Sequence, residues 1–149
     1  MGADITVFSE KKKENGMWEL LDNVKPFDWR SYGMYGFLAD IRNFSCVPVI
    51  SERRGIPDDV SPYIKQIVDD YCFGNFGHSW LTIEELLSFD YDQIFEDRRC
   101  SINGNGGSIC EPGQGKQTTI REFLGEGFFN SLHEAKEAGA ERIIFWFDC

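Results

Sequence analysis

Arg53-Arg54 and Arg98-Arg99 are guanidinium doublets in connecting segments, and Arg42 closes a helical stretch. A guanidinium presents a planar fork of donors that matches phosphate or carboxylate at two points, and it stacks on aromatic faces. His78-Ser79-Trp80 places an imidazole beside an indole that can stack on a base. Asp58-Asp59 adds two adjacent carboxylates. Arg42, Arg53, Arg54, Asp58, Asp59, His78, Trp80, Arg98 and Arg99 therefore form the candidate ligand-binding set. Loops of this kind, if they converge, suit a small anionic ligand such as a nucleotide. The competing reading is surface ion pairing with the 25 acidic residues of the chain.

Catalytic chemistries fail on named residues. Gly113-Gln114-Gly115-Lys116 shares the ending of a P-loop, but Cys110 stands where the first glycine is needed and Gln117 where Ser or Thr should follow the lysine. There are 2 histidines, and Cys72 with His78 is a lone pair of metal-ligand types without a second pair at ligand spacing. No metal and no cofactor are expected. The simpler reading of His78 is a polar structural role, hydrogen-bonded near the helix that starts after Thr82. No GxSxG pattern and no paired Cys/His arrangement can be read, so no catalytic residue is assigned. A hydrolase reading would use His78 with Asp58 or Asp59 as acid–base groups. Asp59 is most simply explained by the dipole of the helix that Ser61 begins.

The chain has 149 residues, 42% of them hydrophobic and 15% aromatic, which is enough apolar area for one real core and argues against disorder. Its formal charge of -10 repels nucleic-acid backbones and anionic membranes, so neither DNA nor RNA nor a membrane is an expected partner. An acidic face could imitate nucleic acid, though plain solubility explains it too. No stretch reaches the roughly 20 apolar residues of a span, and no signal peptide opens the chain. The 5 cysteines are scattered and odd in number, which fits reduced thiols and a cytoplasmic setting. Cys100 and Cys110 are the pair a redox bridge would use. Met-Gly-Ala-Asp-Ile-Thr fits a loose myristoylation pattern through Gly2 and Thr6, but the same residues open a strand.

These residues need elements to position them. Asp4 to Glu10 alternates as a half-buried strand, with Ile5 and Val7 on one side and Thr6 and Glu10 on the other. Lys11 to Lys13 lead into the Asn15-Gly16 turn, a solvated hairpin tip or an anion-binding finger, and Met17 to Leu21 return as a second strand. Ser31 caps a helix from Tyr32 to Arg42 whose apolar stripe is Met34, Phe37, Leu38 and Ile41. A long loop, residues 43–59, follows. Ser61-Pro62 starts a helix with Ile64, Ile67, Val68 and Tyr71 as its buried stripe, and a turn through Gly74, Asn75 and Gly77 leads to His78. Thr82 and Glu85 form a capping box, stapled by Leu81 and Leu86, and Thr119 with Glu122 repeats the spacing. Residues 101–117 read as a glycine-rich loop. Phe128 to Ala138 is a helix stopped by Gly139. Arg142 to Asp148 carries five consecutive apolar residues, hence a central strand buried on both faces. The sum is an α+β domain spanning 1–149. A small mixed or antiparallel sheet, made of the N-terminal hairpin and the C-terminal strand, is covered by several short helices. An insertion lies at about 100–117.

Arg30-x-Tyr32 leading into Phe37-Leu38-Ala39-Asp40-Ile41-Arg42, then Gly55-Ile56-Pro57-Asp58-Asp59-Val60-Ser61, His78-Ser79-Trp80-Leu81-Thr82 and the terminal Phe145-Trp146-Phe147-Asp148 resemble a family of small bacteriophage and bacterial proteins. The likeness covers most of the chain outside Cys100 to Gln117 and brings no assigned activity. It implies a phage-type binding protein of the host bacterial cytoplasm, in particular a non-enzymatic counter-defence protein that sequesters a cyclic or other nucleotide signal. An acidic inhibitor that binds a host protein is the alternative. Homo-oligomerisation would fit the nucleotide-sequestering reading, since subunit interfaces readily form such pockets.

Overall fold

The computed structural model describes residues 2–70, 74–102 and 105–149. In chain order its elements are β1 (Asp4–Lys12), β2 (Trp18–Leu21), α1 (Tyr32–Ala39), α2 (Pro62–Asp70), β3 (Asn75–Thr82), α3 (Ile83–Ser88), β4 (Ile94–Asp97), β5 (Arg99–Ile102), β6 (Asn105–Ile109), β7 (Lys116–Thr119), α4 (Ile120–Leu124), α5 (Glu126–Glu137) and β8 (Arg142–Asp148). They form an α+β fold of two compact units. The first comprises Met1–Arg30, Arg53–Ser88 and Phe128–Cys149, and the second Ser31–Glu52 and Phe89–Gly127.

The first unit is built on an antiparallel sheet of order β2-β1-β8-β3. The N-terminal hairpin and the inner C-terminal strand stand as their sequences require. β8 is buried from Arg142 to Phe147 because both its faces are covered. Its register against β1 sets Phe8 opposite Ile144 and Thr6 opposite Trp146. One face thus carries Phe8, Ile144 and Trp146, which pack with Val60 and Ile64 at the start of α2, and with Ile67, Val68, Leu20 and Trp80. The opposite face carries Ile143, Phe145 and Phe147, all fully buried. β1 is not the half-buried strand its alternation suggests: Ser9 and Glu10 are also at 0% exposure. Tyr71, expected in the α2 stripe, lies outside the described residues.

Phe27 adopts a φ of 64°, where a bulky side chain is strained. It is fully buried, stacked on Phe128 at 4.5 Å, and its N–H donates to Ser131 Oγ on α5. Packing and a hydrogen bond hold the conformation against its local cost.

In the second unit Ser31 caps α1 by accepting the Met34 N–H, as its position predicts. The helix is not amphipathic: Gly33 to Ala39 are buried all round. Its glycines allow this. A Cβ on Gly33 would lie 2.7 Å from the Phe123 ring, and one on Gly36 would lie 2.5 Å from Asn43 Oδ1. The helix stops at Ala39, short of Arg42, because Asp40 turns left-handed at a φ of 57°. Phe37, Phe89 and Tyr91 make an aromatic cluster with centroids 5.1–5.7 Å apart. Burial raises the Tyr91 hydroxyl pKa. β4 pairs with β7, and β5 with β6. The segment expected to be a loop therefore carries strands. Backbone pairing alone suffices for them, and it leaves no apolar alternation to detect.

Candidate functional site

The polar residues that converge do so in the first unit, where β1 ends, β8 begins and β3 meets α3. Cross-strand register places Arg142 between Glu10 of β1 and Thr82 of β3. The Arg142 side chain is 4% exposed and that of Glu10 is 0% exposed. Arg142 Nε donates to Glu10 Oε1 at 2.7 Å. Nη2 approaches the same oxygen to 2.5 Å as a charge contact but is off line for a hydrogen bond, and among the described residues no acceptor satisfies it. Nη1 donates to Asp59 Oδ1 at 2.8 Å. Glu10 also accepts the Ser61 N–H at 2.6 Å. A strand carboxylate thus anchors the start of α2, while the Oγ of Ser61, the residue expected to cap it, makes no hydrogen bond among the described residues. A buried ion pair is tolerable only when its remaining donors and acceptors are used, and Glu10 meets that condition.

Aromatic rings and guanidinium groups alternate through this region. Arg142 lies 3.9 Å from the Trp18 ring centroid and 5.8 Å from that of Trp80. Arg54 lies 4.5 Å from Trp80. The sequence Trp18, Arg142, Trp80, Arg54 is a ladder of cation–π contacts, each worth about 0.5–2 kcal/mol. Trp18 Nε1 donates to Asp59 Oδ2 at 3.0 Å, so Asp59 bridges ring and guanidinium. The hydrogen bond from Arg142 holds the Asp59 carboxyl below its ordinary pKa.

Arg54 is tied down in its turn. Its Nη1 and Nη2 donate to the two oxygens of Glu85 at 2.8 and 2.5 Å, a forked pair. Glu85 completes the expected capping box at the same time, accepting the Thr82 N–H while its own N–H reaches Thr82 Oγ1. Arg54 and the Thr82 contacts bring its carboxyl down to about 2. Arg54 N donates to Ser79 Oγ and Gly55 N to His78 O, which fasten this segment to the edge of β3.

His78 owes its position to a bulge. Phe76 pairs with Phe147 and Ser79 with Phe145, so Gly77 and His78 together oppose Trp146. Gly77 absorbs the extra residue at a φ of 69°. The consequence is a change of face: Phe76 meets Phe147, at 6.2 Å, while His78 stacks on Trp146 at 5.7 Å. Burial lowers the imidazole pKa. The turn expected at Gly74 to Gly77 is mostly strand, because a bulge uses the same residue types as a turn.

Of the expected residues, Arg54, Asp59, His78 and Trp80 come together in this unit. Arg53 and Asp58 are exposed in the same segment. Arg42, Arg98 and Arg99 belong to the second unit. There Arg42 lies over Tyr32, Arg98 donates twice to Cys110 O, and Arg99 pairs with Asp97. The glycine loop does close its amides around an anion, but the anion is the chain's own Glu96, which accepts Gly113 N and Gly115 N at 3.1 Å each. Sequence reasoning missed Glu10, Trp18, Glu85 and Arg142. The one available signal was the charge of Arg142 at the head of a strand whose apolar run demands burial on both faces.

Among the described residues no three His, Cys, Asp or Glu side chains are placed to hold a metal, and no helix is long and apolar enough to cross a membrane. Cys72, the partner considered for His78, lies outside the described residues. Among the described residues Cys46 and Cys149 are in no disulfide. No family model, curated protein or solved structure matches this chain.

Proposed function

We propose that this chain is an acidic binding protein that docks on a basic surface of a protein partner and performs no chemistry of its own. One observation carries the reading. Arg54, Arg99 and Arg142 are each engaged by carboxylates of the same unit, and Arg98 by a backbone carbonyl. Around Trp80 the three carboxylates of Glu10, Asp59 and Glu85 outnumber the two guanidinium groups. A phosphate approaching this site would have to displace those partners against a surrounding negative field. The same field attracts and orients a cationic protein surface, mainly by raising the association rate. The resemblance to small phage proteins supports a host factor as that partner.

Nucleotide sequestration is the second reading, favoured by the stacking of Arg54 on Trp80 and by the bulge that turns His78 toward Trp146. Affinity capture from bacterial extract, in parallel with calorimetry against a nucleotide panel, separates the two. Docking on a basic partner predicts a defined protein that is retained at about 50 mM salt and released at about 500 mM, where screening lengths fall below roughly 5 Å. Saturable nucleotide heat without a salt-sensitive protein partner would reverse the order.

A further inference from the structure

Beside the ladder, a cleft of about 240 Å³ opens between the segment after Gly55 and α2. Its apolar walls are Ile56, Pro57, Val60 and Val68, and its charged lining is Asp58, Lys65 and Asp69. Lys65 Nζ donates to Asp69 at 3.0 Å, so those two neutralise each other. Asp58 is exposed and makes no ion pair among the described residues. The lining therefore combines an aliphatic trough with one uncompensated carboxylate at its edge.

From this we infer that the cleft is a receptor for a single long basic side chain, arginine or lysine, presented by the protein partner. Such side chains carry an aliphatic stem and a charged head, and they lay the first on apolar surface while keeping the second hydrated. Here the stem would run along Ile56, Val60 and Val68, and the head would meet Asp58. An anionic ligand would face the uncompensated carboxylate, and a purely apolar one would leave it unused. Charge complementarity selects the cation. The inference rests on the acidic docking reading and specifies where that docking is anchored.

The test is an amide NMR titration of the full chain with N-acetyl-arginine amide, N-acetyl-lysine amide and the uncharged isostere N-acetyl-norleucine amide. Saturable shifts confined to Ile56, Asp58 and Val68 are expected for the two cations at millimolar concentration. Asp58→Asn should weaken the arginine probe by about 2–5-fold, the effect of one exposed ion pair. Lys65→Ala, which exposes Asp69, should strengthen it by a similar factor. Both positions are exposed, so thermal melts of the variants should match wild type. Equal binding of the norleucine probe, or no response to either substitution, overturns the inference. Unsaturable shifts spread over the acidic surface also overturn it while leaving the docking reading intact, and that reading fails separately if no salt-sensitive partner is captured.

Discussion

Replacing Arg142 by methionine removes a buried cation from the centre of the first unit. Glu10, at 0% side-chain exposure, would keep the Ser61 N–H at 2.6 Å but lose its charged partner at 2.7 Å. Breaking one member of such a pair costs about 3–5 kcal/mol, because the other stays desolvated. The Trp18 ring also loses the guanidinium 3.9 Å away. Glu10→Leu should cost a similar amount by stranding Arg142 with Asp59, whose side chain is 66% exposed and screened by water. The double variant is the decisive arm. Leucine and methionine across the Glu10–Arg142 register pair can pack as an apolar contact, so together they should cost only about 1–3 kcal/mol, chiefly for the Ser61 N–H left without its Glu10 acceptor. The coupling energy would then be several kcal/mol, far above the additive limit of about 0.5 kcal/mol. Urea unfolding followed by tryptophan fluorescence reads all four corners of the cycle, since Trp18 and Trp80 flank the arginine. Against a total stability of about 5–15 kcal/mol the single variants should remain measurable in the cold. Single costs below about 1 kcal/mol, or a double variant that merely adds them, would refute the claim that this pair organises the site.

Other perturbations follow from particular contacts. The Glu85 carboxyl is lowered from 4.5 to about 2, so the stability it contributes is present above pH 4.5 and lost as the pH falls toward 2. Taken whole, that displacement is worth about 3 kcal/mol. With the side chain 35% exposed, screening reduces it to about 1 kcal/mol. Glu85→Gln should therefore melt below wild type at pH 7 and converge on it by pH 2 to 3, and a gap independent of pH would count against the Arg54 pairing. Gly77→Val places a β-branched residue at a φ of 69° and should cost about 1–2 kcal/mol in urea unfolding. A neutral result would mean the bulge is not fixed. In the second unit, Asn43 Nδ2 donates to Asp40 and Val47 O while its Oδ1 accepts Val47 N and Ser45 Oγ. Asn43→Ala should cost about 1–3 kcal/mol and deprotect the Val47 amide in hydrogen exchange. Unchanged exchange there would contradict that role.

What the sequence made legible was local. Thr82 with Glu85 and Thr119 with Glu122 announce helix starts through contacts three residues apart, and both form. Asn15-Gly16 marks the hairpin, and the run from Ile143 to Phe147 marks a strand with two covered faces. What stayed hidden depends on distance along the chain or on backbone alone. Glu10 and Arg142 are 132 residues apart, and nothing near either one reveals that the other neutralises it. Glu85 was visible as a cap, but not as the anion that holds Arg54. The bulge at Gly77 looks like a turn in sequence, and its effect is seen only once Phe76 and His78 occupy opposite faces. β5 and β6 escaped because a glycine-rich hairpin can satisfy its backbone without an apolar pattern. The guanidinium groups stand out in the sequence by type and placement, but the carboxylates that engage Arg54 and Arg142 come from distant segments that sequence could not bring near them.

That distinction can be measured directly in the guanidinium ¹⁵N NMR spectrum of Arg54 and Arg142, recorded with and without millimolar pyrophosphate. Internal commitment to Glu85, Glu10 and Asp59 predicts resolved side-chain N–H signals with slow rotation and slow solvent exchange, unmoved by the added anion. Saturable shifts of either residue would show that phosphate reaches these groups, and would contradict the account of an acidic protein whose arginines hold it together.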